Sequence, residues 1–171
     1  MDKSLYEFQG TPLIQCVTDC LKSVFTDVAI IANDAEKFRF LGLETTPDLI
    51  PGLGPLGGIY TALVHAGKKR IFITGCDMPW LNADLIRYMV SIPDRYDIIV
   101  PSVKGQYEPL HAIYSNACLE PVIKAINSGK RKIIVFYENL NVRKVTEEEI
   151  INFGDPRKIF RNINYPEDSD I

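Results

Sequence analysis

The sequence predicts an α/β fold of three layers built on a mostly parallel central sheet. Three observations carry that reading. Short, continuous apolar runs ("DVAIIA", "RIFIT", "YDIIVP") have the length and branching of strands buried on both faces. Between them lie segments whose apolar residues recur at three-and-four spacing, the signature of a helix with one buried face. No internal repeat or low-complexity linker breaks the alternation over 171 residues, a length that suits one domain spanning 1–171.

Taken in order, Thr11-Pro12 is expected to open a helix, with Thr as cap and Pro at the first helical position. Leu13, Cys16, Val17, Cys20, Leu21 and Val24 supply its apolar face. "DVAIIA" follows as a strand and ends at polar Asn33-Asp34, while "TPDLI" is a weaker strand candidate that breaks at Pro51. The turn "PGLGPLGG", residues 51–58, leads into a helix carrying Ile59, Leu63 and Ala66. "RIFIT" is the next strand and "NADLIRYMV" the next helix, capped by Asn82. "YDIIVP" and "PLHAIY" read as further strands, and "NACLEPVIKAINSG" as a helix ended by Gly129. Thr146 and Glu149 have capping-box spacing ahead of Ile150 and Ile151.

Bulk properties narrow the function. A net charge of -3 argues against a protein that holds nucleic acid by general basicity. No apolar stretch reaches the roughly 20 residues of a membrane span, and Lys3 and Glu7 interrupt the opening where a signal peptide would be apolar. The cytoplasm is the expected compartment, with no membrane partner. Cys16, Cys20, Cys76 and Cys118 lack paired zinc-ligand spacing and suit a reducing environment.

In an open α/β sheet, ligands gather beyond the carboxyl ends of the strands. Three polar residues stand there: Asn33, Asp48 and Asp77, the last ending the apolar run of "ITGCDMPWL". An ionised Asp is an acceptor-only, hard oxygen ligand. Magnesium commonly takes one or two carboxylates together with substrate phosphates and water. Pro79 would help fix the turn that aims Asp77. The glycines of "PGLGPLGG" let backbone approach a ribose or phosphate closely, although the stretch has neither phosphate-loop nor dinucleotide-fingerprint spacing. Phosphoryl or nucleotidyl transfer is the chemistry suggested.

Elsewhere the signals are weaker. His111, on a candidate strand, reads first as a packed core or rim residue, and His65 as solvated near a helix end; neither builds a nucleophile–base pair. "GKKR" (67–70) reads as a solvated turn, and "GKRK" (129–132) as the same or as a contact for an anionic ligand. Asn162 and Asn164 flank Ile163, so an extended segment would turn both carboxamides to one side.

"GPLGGIYTAL", "GCDMPWL", "EPLHAIY" and "NINYPED" occur in this order and at intervals that closely resemble the molybdenum cofactor guanylyltransferases, also called molybdopterin-guanine dinucleotide synthases. The resemblance covers Lys3 to Asp168. It implies a Rossmann-like nucleotidyltransferase fold that joins GMP from GTP to molybdopterin with magnesium, releasing pyrophosphate. On that basis Asp77 would hold Mg2+ on the GTP phosphates and Lys3 would meet phosphate, the two forming the catalytic pair. Asn33, Asp48, Gly54, Pro55 and Gly57 would contact the nucleotide. Pro109, His111, Asn162 and Asn164 would line the pterin side. Expected partners are GTP and molybdopterin or molybdenum cofactor, with other cofactor-biosynthesis proteins and acceptor molybdoenzymes beyond them.

One departure stands against these matches. The family opens with a strand and a glycine-rich loop of the form LAGG-x-S-x-R-M-G just before the residues matching Asp2-Lys3, and the sequence starts at Met1 without it. An N-terminally incomplete domain, short by roughly 15 to 20 residues, is the expectation. The alternatives are a sister cytidylyl or sugar-phosphate nucleotidyltransferase, and a non-catalytic nucleotide- or pterin-binding protein.

Overall fold

A computed structural model describes residues 3–163. A 3-10 turn, Lys3–Leu5, leads into a hairpin of β1 (Glu7–Phe8) and β2 (Thr11–Pro12), closed by Gln9 and Gly10 at φ of 52° and 77°. Here the expectation for Thr11 fails. Its backbone pairs with Phe8, so Pro12 occupies the cap position of α1 (Leu13–Lys22), and no side chain caps that helix. The buried stripe of α1 is Leu13, Ile14, Val17 and Thr18.

Two strands of three residues follow, β3 (Ala29–Ile31) and β4 (Glu44–Thr46), paired in parallel. The second ends on Thr46, the first residue of "TPDLI", because Pro47 cannot donate to a ladder. The glycine-rich turn then enters α2 (Pro55–His65) with Pro55 in its first turn, as its fixed φ favours. Gly54 stands before it at φ 59°, where a side chain would be strained.

The rest of the chain comprises β5 (Arg70–Thr74), α3 (Ala83–Ser91), β6 (Ile98–Val103), β7 (Gln106–Tyr107) and β8 (His111–Ser115). After them come α4 (Leu119–Asn127), a 3-10 stretch Ile133–Tyr137, β9 (Val142–Val145), α5 (Glu147–Ile150) and α6 (Pro156–Ile159). Three terminal signals act as the sequence predicts. Asn82 accepts from the Leu85 amide at 2.9 Å, Thr146 and Glu149 form a reciprocal capping box, and Gly129 follows α4 at φ 69°.

β5 through β9 form one five-stranded sheet in which β8 lies between β5 and β6, while β7 and β9 pair with β6. β9 runs parallel to β6, and β8 runs against both β5 and β6. So β5, β6 and β9 share a direction, as expected of a parallel sheet. The reversed β8, inserted between two of them, makes most of the actual ladders antiparallel. Period-two alternation then builds the three layers. Ile98, Val100, Ala112 and Tyr114 pack with α2, α4 and Phe136 on one face. Ile99, Ile113 and Val145 pack with α3, α5 and α6 on the other.

β5 is only partly buried along its whole length. The bonds Gly75 N to Leu110 O and Asn116 N to Lys69 O set the phase of its ladder with β8. In that phase the backbone groups of Arg70, Phe72 and Thr74 face away from β8. Among the described residues no strand pairs with that border, and β3–β4 stands as a separate ladder. Helix α2 touches both β3 and β5 and holds the two ladders together on one side.

Candidate functional site

Packing brings the polar strand ends together through their neighbours. Leu5, Ala32 and Cys76 pack against one cluster formed by Ile14, Ile30, Phe38 and Leu41. These three residues adjoin the Lys3 turn, Asn33 and Asp77 respectively. Lys3 itself is exposed at the start of its 3-10 turn.

Asn33 and Asp48 are joined directly. The Asn33 Oδ1 accepts from the Asp48 amide at 2.9 Å, and the Asn33 Nδ2 donates to Asp48 Oδ2 at 3.3 Å. This two-point clasp links the ends of the parallel pair β3–β4 and leaves Asn33 exposed and Asp48 half-buried. Behind it, the Thr61 hydroxyl accepts from the Leu49 amide at 3.0 Å, fixing the approach to the glycine-rich loop against the middle of α2. Gly57 is buried where loop and helix touch: a Cβ there would lie 2.9 Å from Leu53 Cβ and 3.3 Å from the Ile50 carbonyl oxygen. Its role is thus close packing that shapes the loop, whereas Gly54 and Pro55 are the exposed residues of the turn.

Asp77 lies just past β5, in the connection to α3. Its carboxylate folds back over Gly75, where an added Cβ would meet Asp77 Oδ1 at 2.6 Å. The next residue, Met78, is buried and anchors the turn in the core. Among the described residues, no hydrogen bond or ion pair engages the Asp77 carboxylate, which is half-buried. An acceptor held in place without a protein cation suits a hard divalent ion. No group of three or more His, Cys, Asp or Glu side chains among the described residues could hold a metal. Magnesium at Asp77 would therefore take its other ligands from substrate phosphates and water, its ordinary habit.

On the other flank, the segment "EPLHAIY" is tied to the Asp77 turn by the bond from Gly75 N to Leu110 O at 3.2 Å. Pro109 is half-buried, and its carbonyl accepts from the Tyr114 hydroxyl at 2.7 Å. His111 is fully buried, with edge-to-face contacts to Phe72 and Phe160 at 5.0 Å each and no hydrogen-bond partner for either ring nitrogen. Burial pushes its pKa down to about 3, so the imidazole is neutral. In this structure it is a packing residue, in keeping with the core reading of "PLHAIY"; nothing on its surface is open to a pterin. Burial also raises the carboxyl of nearby Glu108.

The last described residues complete the arrangement. The Ile163 amide donates to the Asp77 carbonyl at 2.8 Å, and the Ile163 side chain is fully buried with Phe8 and Leu13. Asn162 is exposed beside it. Asn164 lies outside the described residues. Arg161 places its guanidinium 5.3 Å from the centre of the Trp80 ring, which also meets Phe8 edge-to-face at 4.9 Å. Sequence reasoning missed Gly75, Thr61, Trp80 and Ile163 as site-shaping residues. The only local signal was the glycine two places before Asp77.

Two further features are less promising. A concavity of about 680 Å³ is lined by Lys104, Glu147, Ile151, Asp155 and Arg157. It shares no residue with the Asp77 site, and its carboxylates are already engaged by the Lys104 amide and Arg157. Burial raises the thiols of Cys16 and Cys20, which keeps them protonated and weakly nucleophilic.

Known proteins share this sequence and architecture. Residues 1–142 match the family described as the MobA-like NTP transferase domain. A Pelotomaculum thermopropionicum protein named "Probable molybdenum cofactor guanylyltransferase" is 36% identical over 167 residues, covering 98% of this chain and 82% of that protein. The "Molybdenum cofactor guanylyltransferase" of Desulfosudis oleivorans is 33% identical over 168 residues, covering 98% and 83%. The solved structure of molybdopterin-guanine dinucleotide biosynthesis protein A from Archaeoglobus fulgidus superposes with a TM-score of 0.83 at 28% identity, covering 99% of this chain and 87% of that one. On sequence and fold together, this chain belongs to the MobA-like NTP transferase family and has its Rossmann-like nucleotidyltransferase architecture.

Proposed function

We propose that this chain transfers the guanylyl group of GTP to molybdopterin or molybdenum cofactor, releasing pyrophosphate and forming the guanine dinucleotide. The observation that carries the reading is the Asp77 carboxylate, seated over Gly75 at the end of β5 and unengaged by any described protein cation. It stands in a chain whose relatives are named as molybdenum cofactor guanylyltransferases.

The terminal phosphate oxygen of the acceptor forms a bond to the α-phosphorus of GTP while the bond from that phosphorus to the bridging oxygen breaks. The acceptor oxygen is already anionic, so no side-chain base is needed. Magnesium, held by Asp77, would neutralise charge on the phosphates. Lys3 is assigned to the departing pyrophosphate. Asn33 and Asp48 are assigned to the nucleoside, with their mutual clasp setting the ends of β3 and β4. The turn at Gly54 and Pro55 lets backbone approach the nucleotide, and Asn162 faces the acceptor. Such a site acts chiefly by holding the two reactants in line and balancing the charge that develops.

The test is calorimetric binding of Mg2+·GTP, followed by transfer assays with GTP and with CTP. Binding and turnover with GTP, both lost in Asp77→Ala while its fold and melting temperature persist, is the expected result. Undiminished turnover in Asp77→Ala would overturn the assignment, and preference for CTP would move it to cytidylyl transfer.

A further inference from the structure

Asp77 lies in a connection of eight residues between β5 and α3 that has no regular secondary structure of its own. Its direction therefore depends on groups outside that segment. Gly75 is one. A Cβ there would approach the Asp77 carboxylate oxygen to 2.6 Å, then the Met78 Cε at 3.5 Å and the Asp77 Cγ at 3.8 Å. Gly75 is not at positive φ. Glycine is thus required for the space beneath the carboxylate and not for the backbone path.

Ile163 is the second group. Its amide donates to the Asp77 carbonyl. Its side chain is buried among Phe8 and Leu13, in a cluster that also includes Trp80, three residues beyond Asp77. Arg161 lies over that same Trp80 ring. The tail is therefore anchored on both sides of the hydrogen bond, and the turn carrying Asp77 is held between the core and the tail.

We propose that Gly75 and Ile163 are positioning residues for Asp77: Gly75 supplies the seat of the carboxylate, and the Ile163 amide fixes the turn that carries it. This rests on the reading that Asp77 holds the divalent cation. It adds that the metal affinity of the site is set from the far end of the chain. Groups that orient a metal ligand typically change metal affinity by about 10–100-fold when lost.

The experiment is an Mn2+ titration followed by electron paramagnetic resonance, on the full chain with GTP present, together with metal-free GTP binding and thermal melting. Four variants are compared with the parent. Gly75→Ala moves the flexible end of one side chain, so its melting temperature should stay within a few degrees while Mn2+ affinity falls about tenfold or more. Ile163→Pro removes the amide donor and should lower Mn2+ affinity to a similar extent. Ile163→Val keeps both amide and packing and should bind Mn2+ like the parent. Asp77→Ala should lose the Mn2+ signal. Metal-free GTP binding should be unchanged in Gly75→Ala, which a general loosening of the site would not allow.

Parent-like Mn2+ affinity in both Gly75→Ala and Ile163→Pro, with the signal lost in Asp77→Ala, would overturn this inference and leave the reading of Asp77 intact. Parent-like Mn2+ binding in Asp77→Ala, or no Mn2+ binding by the parent, would overturn both. If Ile163→Pro fails to fold, Gly75→Ala decides the carboxylate seat. Ile163→Ala, which loses the packing that seats the amide against Asp77, then decides the tail: it should lower Mn2+ affinity, and parent-like binding there would refute the role of the tail.

Discussion

His111 offers the most quantitative test of the fold around the site. The imidazole is completely buried, both nitrogens lack partners, and burial depresses its pKa from 6.5 to about 3. Among the described residues no charge partner offsets its protonation: the rings of Phe72 and Phe160 lie against it, and Thr74 is opposite on β5. Between pH 3 and 6.5 the unfolded chain binds a proton here that the folded chain does not. The folded state therefore loses stability as pH falls through that window. Relative to pH 7, the loss attributable to His111 is about 2 kcal/mol at pH 5, growing by about 1.4 kcal/mol for each further unit until pH approaches 3. His111→Leu removes the titrating group at nearly constant volume. It should also stabilise the protein at pH 7 by about 1–3 kcal/mol, because an unpaired buried polar group is eliminated. Urea unfolding of both proteins at pH 5, 6 and 7 isolates the effect, since contributions from carboxylates such as Glu149 are common to both. Stability profiles that run parallel over this range would refute the closed, unpartnered environment assigned to His111.

Other substitutions test neighbouring parts of the site. Gly57→Ala should destabilise by about 1–3 kcal/mol, because the new methyl meets Leu53 Cβ and a backbone oxygen that cannot move aside. Gly58→Ala, with nothing within 4 Å, should stabilise α2 by about 0.5–1 kcal/mol; equal thermal shifts in the two variants would contradict the packing assigned to the loop. Tyr114→Phe leaves the Pro109 carbonyl and the Tyr137 hydroxyl without their shared partner, so chemical denaturation should show a loss of about 2–3 kcal/mol. Tyr137→Phe leaves the Tyr114–Pro109 bond in place and should cost about 1 kcal/mol, and a larger loss there than in Tyr114→Phe would reverse the order of the network.

What could be read in advance was whatever chemistry acts within a few residues. Asn82 caps α3, Thr146 and Glu149 close a capping box, and Gly54-Pro55 begins α2 because each depends on side chains and backbone one turn apart. Strand direction was not readable: all five residues of β8 are buried, and a strand covered on both faces gives the same apolar run whichever way it points. β9 carries little strand signal because Arg143 and Lys144 interrupt its apolar residues. A Thr-Pro pair suits a helix start, yet the Gln9-Gly10 turn commits Thr11 to a hairpin. Within the site, Asn33, Asp48 and Asp77 stood out by their position at strand ends. Their dependence on one another did not, because the Asn33–Asp48 clasp, the Gly75–Leu110 bond and the Ile163–Asp77 bond all join distant parts of the sequence.

The last of these bonds also bears on how the protein loses activity. Arg161 to Ile163 lie beyond α6 and outside the five-stranded sheet, held among the described residues by the buried Ile163 side chain, the Arg161–Trp80 ring contact, and backbone bonds from Arg161 to Lys158 and from Ile163 to Asp77. Burial of one isoleucine is worth only about 1.5–3 kcal/mol, less than the whole-domain stability that protects the sheet. Detachment of this tail is accordingly a local opening that precedes global melting. If Asp77 holds a divalent ion as proposed, metal binding should fade on gentle heating or in dilute denaturant while the circular dichroism of the sheet and helices is still that of the native protein.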